Sequence, residues 1–120
     1  VIFAGVIDNK DLPVYLKSSD VFIRASRAEG FGNSFIESMA CGIPTIGTKI
    51  GGIPDFLFHK ETGMIVKLDN PKDIAKQIKT IVEDKTLYKK VSKGGIEKAQ
   101  RYSWDDQSIK TQKYILENLK

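Results

Sequence analysis

Two kinds of apolar pattern alternate along this chain. Residues 1–7, 21–23, 44–47 and 63–67 are short, nearly continuous apolar runs edged by Asp, Asn, Ser or Gly, which predicts strands in a sheet covered on both faces. Elsewhere the spacing is helical. Leu12, Val14, Tyr15 and Leu16 follow Asp11, a prospective cap, with Pro13 in the first turn. Phe35, Ile36, Met39 and Ala40 form the stripe of a helix starting near residue 33, with Asn33 or Ser34 as its cap and a left-handed Gly42 as its stop. Ile74, Ala75, Ile78, Ile81 and Val82 trace a helix that begins at Asn70-Pro71 and ends at Asp84-Lys85. A further helix, 86–102, turns Leu87, Tyr88 and Val91 inward and is weakened in its middle by Gly94-Gly95; Ser103 caps a last one, 104–119. This rhythm predicts an α/β fold: a Rossmann-like parallel sheet with flanking helices and right-handed crossovers, followed by a helical C-terminal segment.

In open parallel sheets, ligands bind beyond the carboxyl ends of the strands. Two glycine-rich turns fall there: Gly30-Phe31-Gly32 after the second strand and Gly51-Gly52 after the third. Glycines let a bulky anion approach the main chain. The helix starting at 33 would aim its free N–H groups and the positive end of its dipole over the first turn, a setting for a phosphate or diphosphate. Asn33, Ser34 and Glu37 share the face turned away from the apolar stripe, so Glu29 and Glu37 are expected to flank one anion-binding pocket.

Composition narrows the class without pointing to chemistry. At 120 residues, 41% hydrophobic and 28% charged, the chain suits one globular domain, and no run approaches the length of a membrane span. The net charge of +4 falls short of a nucleic-acid footprint, and the lysines of 85–98 read as a solvated helix face. Contact with an acidic lipid surface is the lesser reading. Cys41 reads as a small buried hydrophobe and fits a reducing, cytoplasmic setting. His59 has no visible catalytic partner, no Cys or His cluster has metal-ligand spacing, and no Gly-x-Ser-x-Gly elbow occurs. The chain opens on Val1 inside a run read as a strand, which suggests a piece of a longer protein.

Glu29-Gly-Phe-Gly-Asn-Ser-Phe-Ile-Glu37 resembles the Glu-x7-Glu motif of retaining nucleotide-sugar glycosyltransferases of the GT-B fold. The likeness continues through Ser38-Met-Ala-Cys-Gly-Ile-Pro-Thr-Ile46, Gly51-Gly-Ile-Pro-Asp55 and Thr62-Gly63, to Tyr102-Ser-Trp-Asp105 at the start of the last helix. It implies part of the C-terminal half of a GT-B fold. Residues 1–102 would be the donor-binding domain, truncated at its N-terminal side, and 103–120 a helix crossing to a missing N-terminal domain.

What the resemblance implies for the site extends to matched positions. Glu29 would hold donor-sugar hydroxyls and stabilise positive charge at the anomeric carbon. Glu37 would accept from the ribose hydroxyls. Backbone N–H groups around Gly32, Asn33 and Ser34 would hold the diphosphate, with Gly30, Phe31, Gly51 and Gly52 completing the donor pocket. The implied partners are a nucleotide-diphosphate sugar and a glycan, lipid-linked or small-molecule acceptor. Neither a cofactor nor a metal is implied. The family's usual Arg and Lys lie upstream of Val1, Arg24 and Arg27 do not match them, and Asp55 stands where Glu is commoner. These 120 residues alone are expected not to turn over. Alternative readings are a non-enzymatic nucleotide-sugar-binding module and a GT-B-like epimerase or phosphorylase. Cell-surface polysaccharide biosynthesis is the expected setting.

Overall fold

The computed structural model describes residues 1–119. In order, the elements are α1 (Leu12–Lys17), β1 (Phe22–Arg24), α2 (Asn33–Ala40), β2 (Thr45–Thr48), a 3-10 turn (Ile53–Asp55), β3 (Met64–Val66), α3 (Pro71–Glu83), α4 (Lys85–Gln100) and α5 (Trp104–Asn118). The strands form one parallel sheet, order β1-β2-β3, with Ile23 opposite Ile46 and Ile46 opposite Met64. Such a sheet flanked by helices is a partial Rossmann or GT-B-like fold.

Apolar residues from sheet and helices pack into two clusters. Phe35 and Met39 of α2 meet Ile53, Phe56, Leu57 and Ala99. Ile46, Met64 and Val66 of the sheet meet Ile81 of α3 and Val91 of α4. Every residue of β2, the middle strand, is buried, including Thr45 and Thr48. β1 is an edge of the described sheet, and its Ile23 and Arg24 are exposed.

Several caps behave as their residue types dictate. Asn70 accepts from Asp73 N–H at 3.0 Å and Ser103 from Asp106 N–H at 3.2 Å. Gly42 takes φ +76° after α2. Asp84 closes α3 and, through its Oδ1, caps α4, which begins at Lys85.

Several expectations are corrected. The Asp11 side chain makes no cap bond to α1, Cys41 is only partly buried, and Val82 is exposed. Residues 1–7 form no strand: no described strand lies beside them to supply a ladder, and Val1, Ile2, Phe3 and Val6 are exposed. Strand pairing is non-local, and an apolar run without a partner cannot hold the extended ladder. The cap of α2 is Gly32 (φ +89°), so Asn33 and Ser34 are its first two residues and neither side chain caps it. Gly94-Gly95 does not interrupt α4, because the pair is where that helix packs closest. A Cβ at Gly94 would collide with the Glu61 carbonyl, and one at Gly95 would sit 3.4 Å from the Thr62 carbonyl and 3.5 Å from Met39.

α5 stands off this body. None of its residues is buried, and Trp104 is 90% exposed. No described helix is long and apolar enough to cross a membrane.

Candidate functional site

β1 delivers the chain to the first glycine turn, and β2 delivers it to the second. Thr48, the last residue of β2, donates from Oγ1 to Ser26 C=O at 2.6 Å, anchoring the loop after β1 to the neighbouring strand. Four residues on, Gly52 N–H donates to Gly30 C=O at 2.8 Å. A Cβ at Gly51 would overlap the Glu29 carbonyl, and one at Gly52 would sit 2.9 Å from the Gly30 oxygen. Gly51-Gly52 is therefore the seat on which the Glu29 loop rests, and glycine at 51 is demanded both by that approach and by its φ of +51°.

Seated there, the turn presents the start of α2. Among the described residues, no protein acceptor takes the N–H of Gly32, Asn33 or Ser34. Three donors and the helix dipole thus converge at the carboxyl ends of the strands, and an anion is the complementary partner. Gly32 must stay small: a Cβ would lie 2.8 Å from Ile53 Cδ1 and 3.1 Å from Phe35 Cδ2.

The Glu29 side chain is 13% exposed, and its Oε2 is buried without accepting a hydrogen bond. Arg24 Nε lies 3.1 Å from that oxygen in an ion pair, while donating to Ser26 Oγ at 3.2 Å. Arg24 Nη1 donates to Ser34 Oγ at 3.1 Å. One guanidinium thus joins the carboxylate to the first turn of α2. Arg27 points its charge elsewhere, pairing with Asp69 at 2.9 Å.

Glu37 is exposed, and at about 100° per residue it lies between Asn33 and Ser34 around the helix axis. With Asn33, Phe31, Tyr102 and Trp104 it lines a groove of 890 Å³. The Phe31 ring stacks edge-on to Phe56 (5.6 Å between centroids) and tilts onto Tyr102 (5.2 Å), so its side chain anchors the turn to the core. Burial, then the nearby Asp55 charge, raises the Tyr102 phenol above its ordinary pKa and keeps it protonated, 3.4 Å from Asp55 C=O.

The structure accordingly gathers Glu29, Gly30, Phe31, Gly32, Asn33, Ser34, Gly51 and Gly52 at one end of the sheet, with Glu37 one turn into the helix. Arg24, which does not match the family's usual basic residues, nonetheless reaches this site from the last position of β1.

A second concavity, of 950 Å³, is lined by residues on either side of His59 and contains none of those nine residues. Its Thr48, His59, Asp73 and Gln77 side chains are spent on the fold. His59 Nδ1 accepts from Ile65 N–H at 3.0 Å; burial, then Lys60, holds its pKa below the usual value against the opposing pull of Asp73. Asp73 is likewise taken, by Lys67 N–H at 2.8 Å and by Gln77 at 3.2 Å, and these bonds lower its pKa. The unspent donors at 32–34 mark the better site. No group of three or more potential metal ligands occurs among the described residues.

Comparison with known proteins converges on one family. The model of glycosyl transferases group 1 matches residues 1–98. N-acetyl-alpha-D-glucosaminyl L-malate synthase of Bacillus anthracis is 36% identical over 89 residues, covering 74% of this chain and 23% of that protein. The sucrose-phosphate synthase structure from Thermosynechococcus elongatus superposes with a TM-score of 0.89 at 30% identity, over 97% of this chain and 29% of that one. Anabaena HepE, solved in complex with UDP-glucose, superposes with a TM-score of 0.77 at 26% identity, over 91% of this chain and 29% of its own. This chain spans about a quarter of the length of such relatives.

Proposed function

This chain belongs to the group 1 glycosyl transferases, and from that premise we propose that it is the C-terminal, donor-binding part of a retaining enzyme that moves a sugar from a nucleotide diphosphate to an acceptor hydroxyl. The observation that carries this reading is the set of backbone donors at Gly32, Asn33 and Ser34, free of protein acceptors and adjoining the Glu29 loop.

Each group has a task that its position suits. The donors at the start of α2 hold the diphosphate and stabilise the charge it gains as its bond to the anomeric carbon breaks. Glu29, largely desolvated, holds the sugar's hydroxyls and opposes the positive charge that grows on the anomeric carbon; as the bond to the diphosphate breaks, the acceptor oxygen bonds to that carbon and its proton passes to the departing diphosphate oxygen. Glu37, exposed on the groove side of the same helix, accepts from the ribose hydroxyls. Gly51 and Gly52 serve by seating the loop. Relatives that match in family and fold, one of them solved with UDP-glucose, support a sugar nucleotide as the donor.

The test is substitution in the full-length protein. Glu29→Ala should lower transfer by about 10²–10³-fold, the range for losing one preorganised electrostatic group, while donor affinity changes only a few-fold. Glu37→Ala should instead weaken donor binding. Unchanged transfer by Glu29→Ala would refute the assignment.

A further inference from the structure

We propose that Arg24 is a phosphate-binding residue of the donor pocket, held in place by Glu29, Ser26 and Ser34. The inference rests on the donor reading above and goes beyond it by naming the side chain that balances the pocket's charge.

Charge counting favours such a residue. A diphosphate ester brings two negative charges to a place that already holds Glu29 and Glu37. The helix terminus supplies only about half a positive charge. Among the described residues, Arg24 is the cation that touches both the Glu29 carboxylate and the first turn of α2, whereas Arg27 is engaged with Asp69.

Geometry supplies the rest. Arg24 Nε is occupied by Ser26 Oγ and Glu29 Oε2, and Nη1 gives one N–H to Ser34 Oγ. Both N–H groups of Nη2 are without an acceptor among the described residues, and the side chain is 49% exposed. A planar guanidinium with two free donors beside free backbone N–H groups suits two oxygens of one phosphate, a fit that lysine's point charge does not reproduce. The three held contacts fix the fork before a ligand arrives, so little side-chain entropy remains to be lost on binding. Because the same guanidinium lies against Glu29, phosphate binding and carboxylate placement are coupled through one group.

The experiment uses the full-length protein with inorganic pyrophosphate and UDP as calorimetric probes. R24A should weaken pyrophosphate binding by about tenfold or more. R24K should recover part of that loss, millimolar guanidinium should partly restore R24A, and R27A should stay within twofold of wild type. R24Q keeps an amide to bond Ser34 but has no charge; if R24A melts early, R24Q carries the test and should show the same loss. In kinetics, donor KM should rise in R24K while kcat falls less. Wild-type affinity in R24A or R24Q, or an equal loss in R27A, would overturn the role of Arg24 and leave the donor reading standing. Failure of the wild type to bind either probe would remove both.

Discussion

Replacing Gly51 by alanine tests how the site is built. Gly51 sits at φ +51°, and a Cβ there would overlap the Glu29 carbonyl, a backbone atom that cannot swing aside as a side-chain tip can. The left-handed backbone costs an alanine about 1–2 kcal/mol. Forcing atoms into a filled space adds about 1–3 kcal/mol, so the total is roughly 2–5 kcal/mol. Relief requires the Glu29 loop to lift from its seat. A displacement of about 1 Å at a reacting group costs on the order of 100-fold in rate, so transfer should fall even where the protein stays folded. Gly30→Ala is the matched control: a Cβ there meets nothing within 4 Å, and its stability should change by no more than about 0.5 kcal/mol. Urea unfolding of the two variants, with m unchanged, measures the sum of the two terms against the control. Equal stability of Gly51→Ala and wild type, or equal losses at 51 and 30, would refute the docking of one turn on the other.

Two further outcomes follow from the same geometry. His59 titrates near 6.5 when unfolded and lower when folded, so between those values the unfolded chain binds more protons and stability is lost as pH falls from 6.5 through the folded pKa; His59→Gln should flatten that slope in thermal melts at pH 7 and below, and an unaltered slope would count against a neutral imidazole whose Nδ1 accepts from Ile65 N–H. The isolated 120 residues should give no transferase turnover with any nucleotide sugar, since the acceptor side of the reaction needs the rest of the protein; detectable transfer by radiolabel would contradict this.

Local chemistry was the part of this molecule that could be read from the chain. Asn70, Ser103 and Gly42 act where their residue types place them, and the apolar runs before Lys49 and Lys67 become β2 and β3 within about one residue. The glycine turn after β1 and the helix behind it were legible for the same reason. What required coordinates was contact between distant segments. Residues 1–7 have strand composition, but strand formation depends on a neighbour that their own sequence does not specify. The seating of Gly51-Gly52 on Glu29-Gly30, the tight passage of Gly94-Gly95 over 61–62, and the reach of Arg24 to Ser34 join positions far apart in the chain. Asn33 and Ser34 looked like caps by type, yet Gly32 took that place because only a residue without a side chain fits at φ +89° against Ile53 and Phe35.

The central claim is that the start of α2 grips a diphosphate. Its most direct measurement is amide NMR of the full-length protein, labelled at glycine, asparagine and serine, during titration with UDP, GDP and ADP. At least one nucleotide should shift Gly32, Asn33 and Ser34 first and most. Saturable binding that leaves those three amides unmoved and shifts Gly63 by the His59 groove instead would contradict the account.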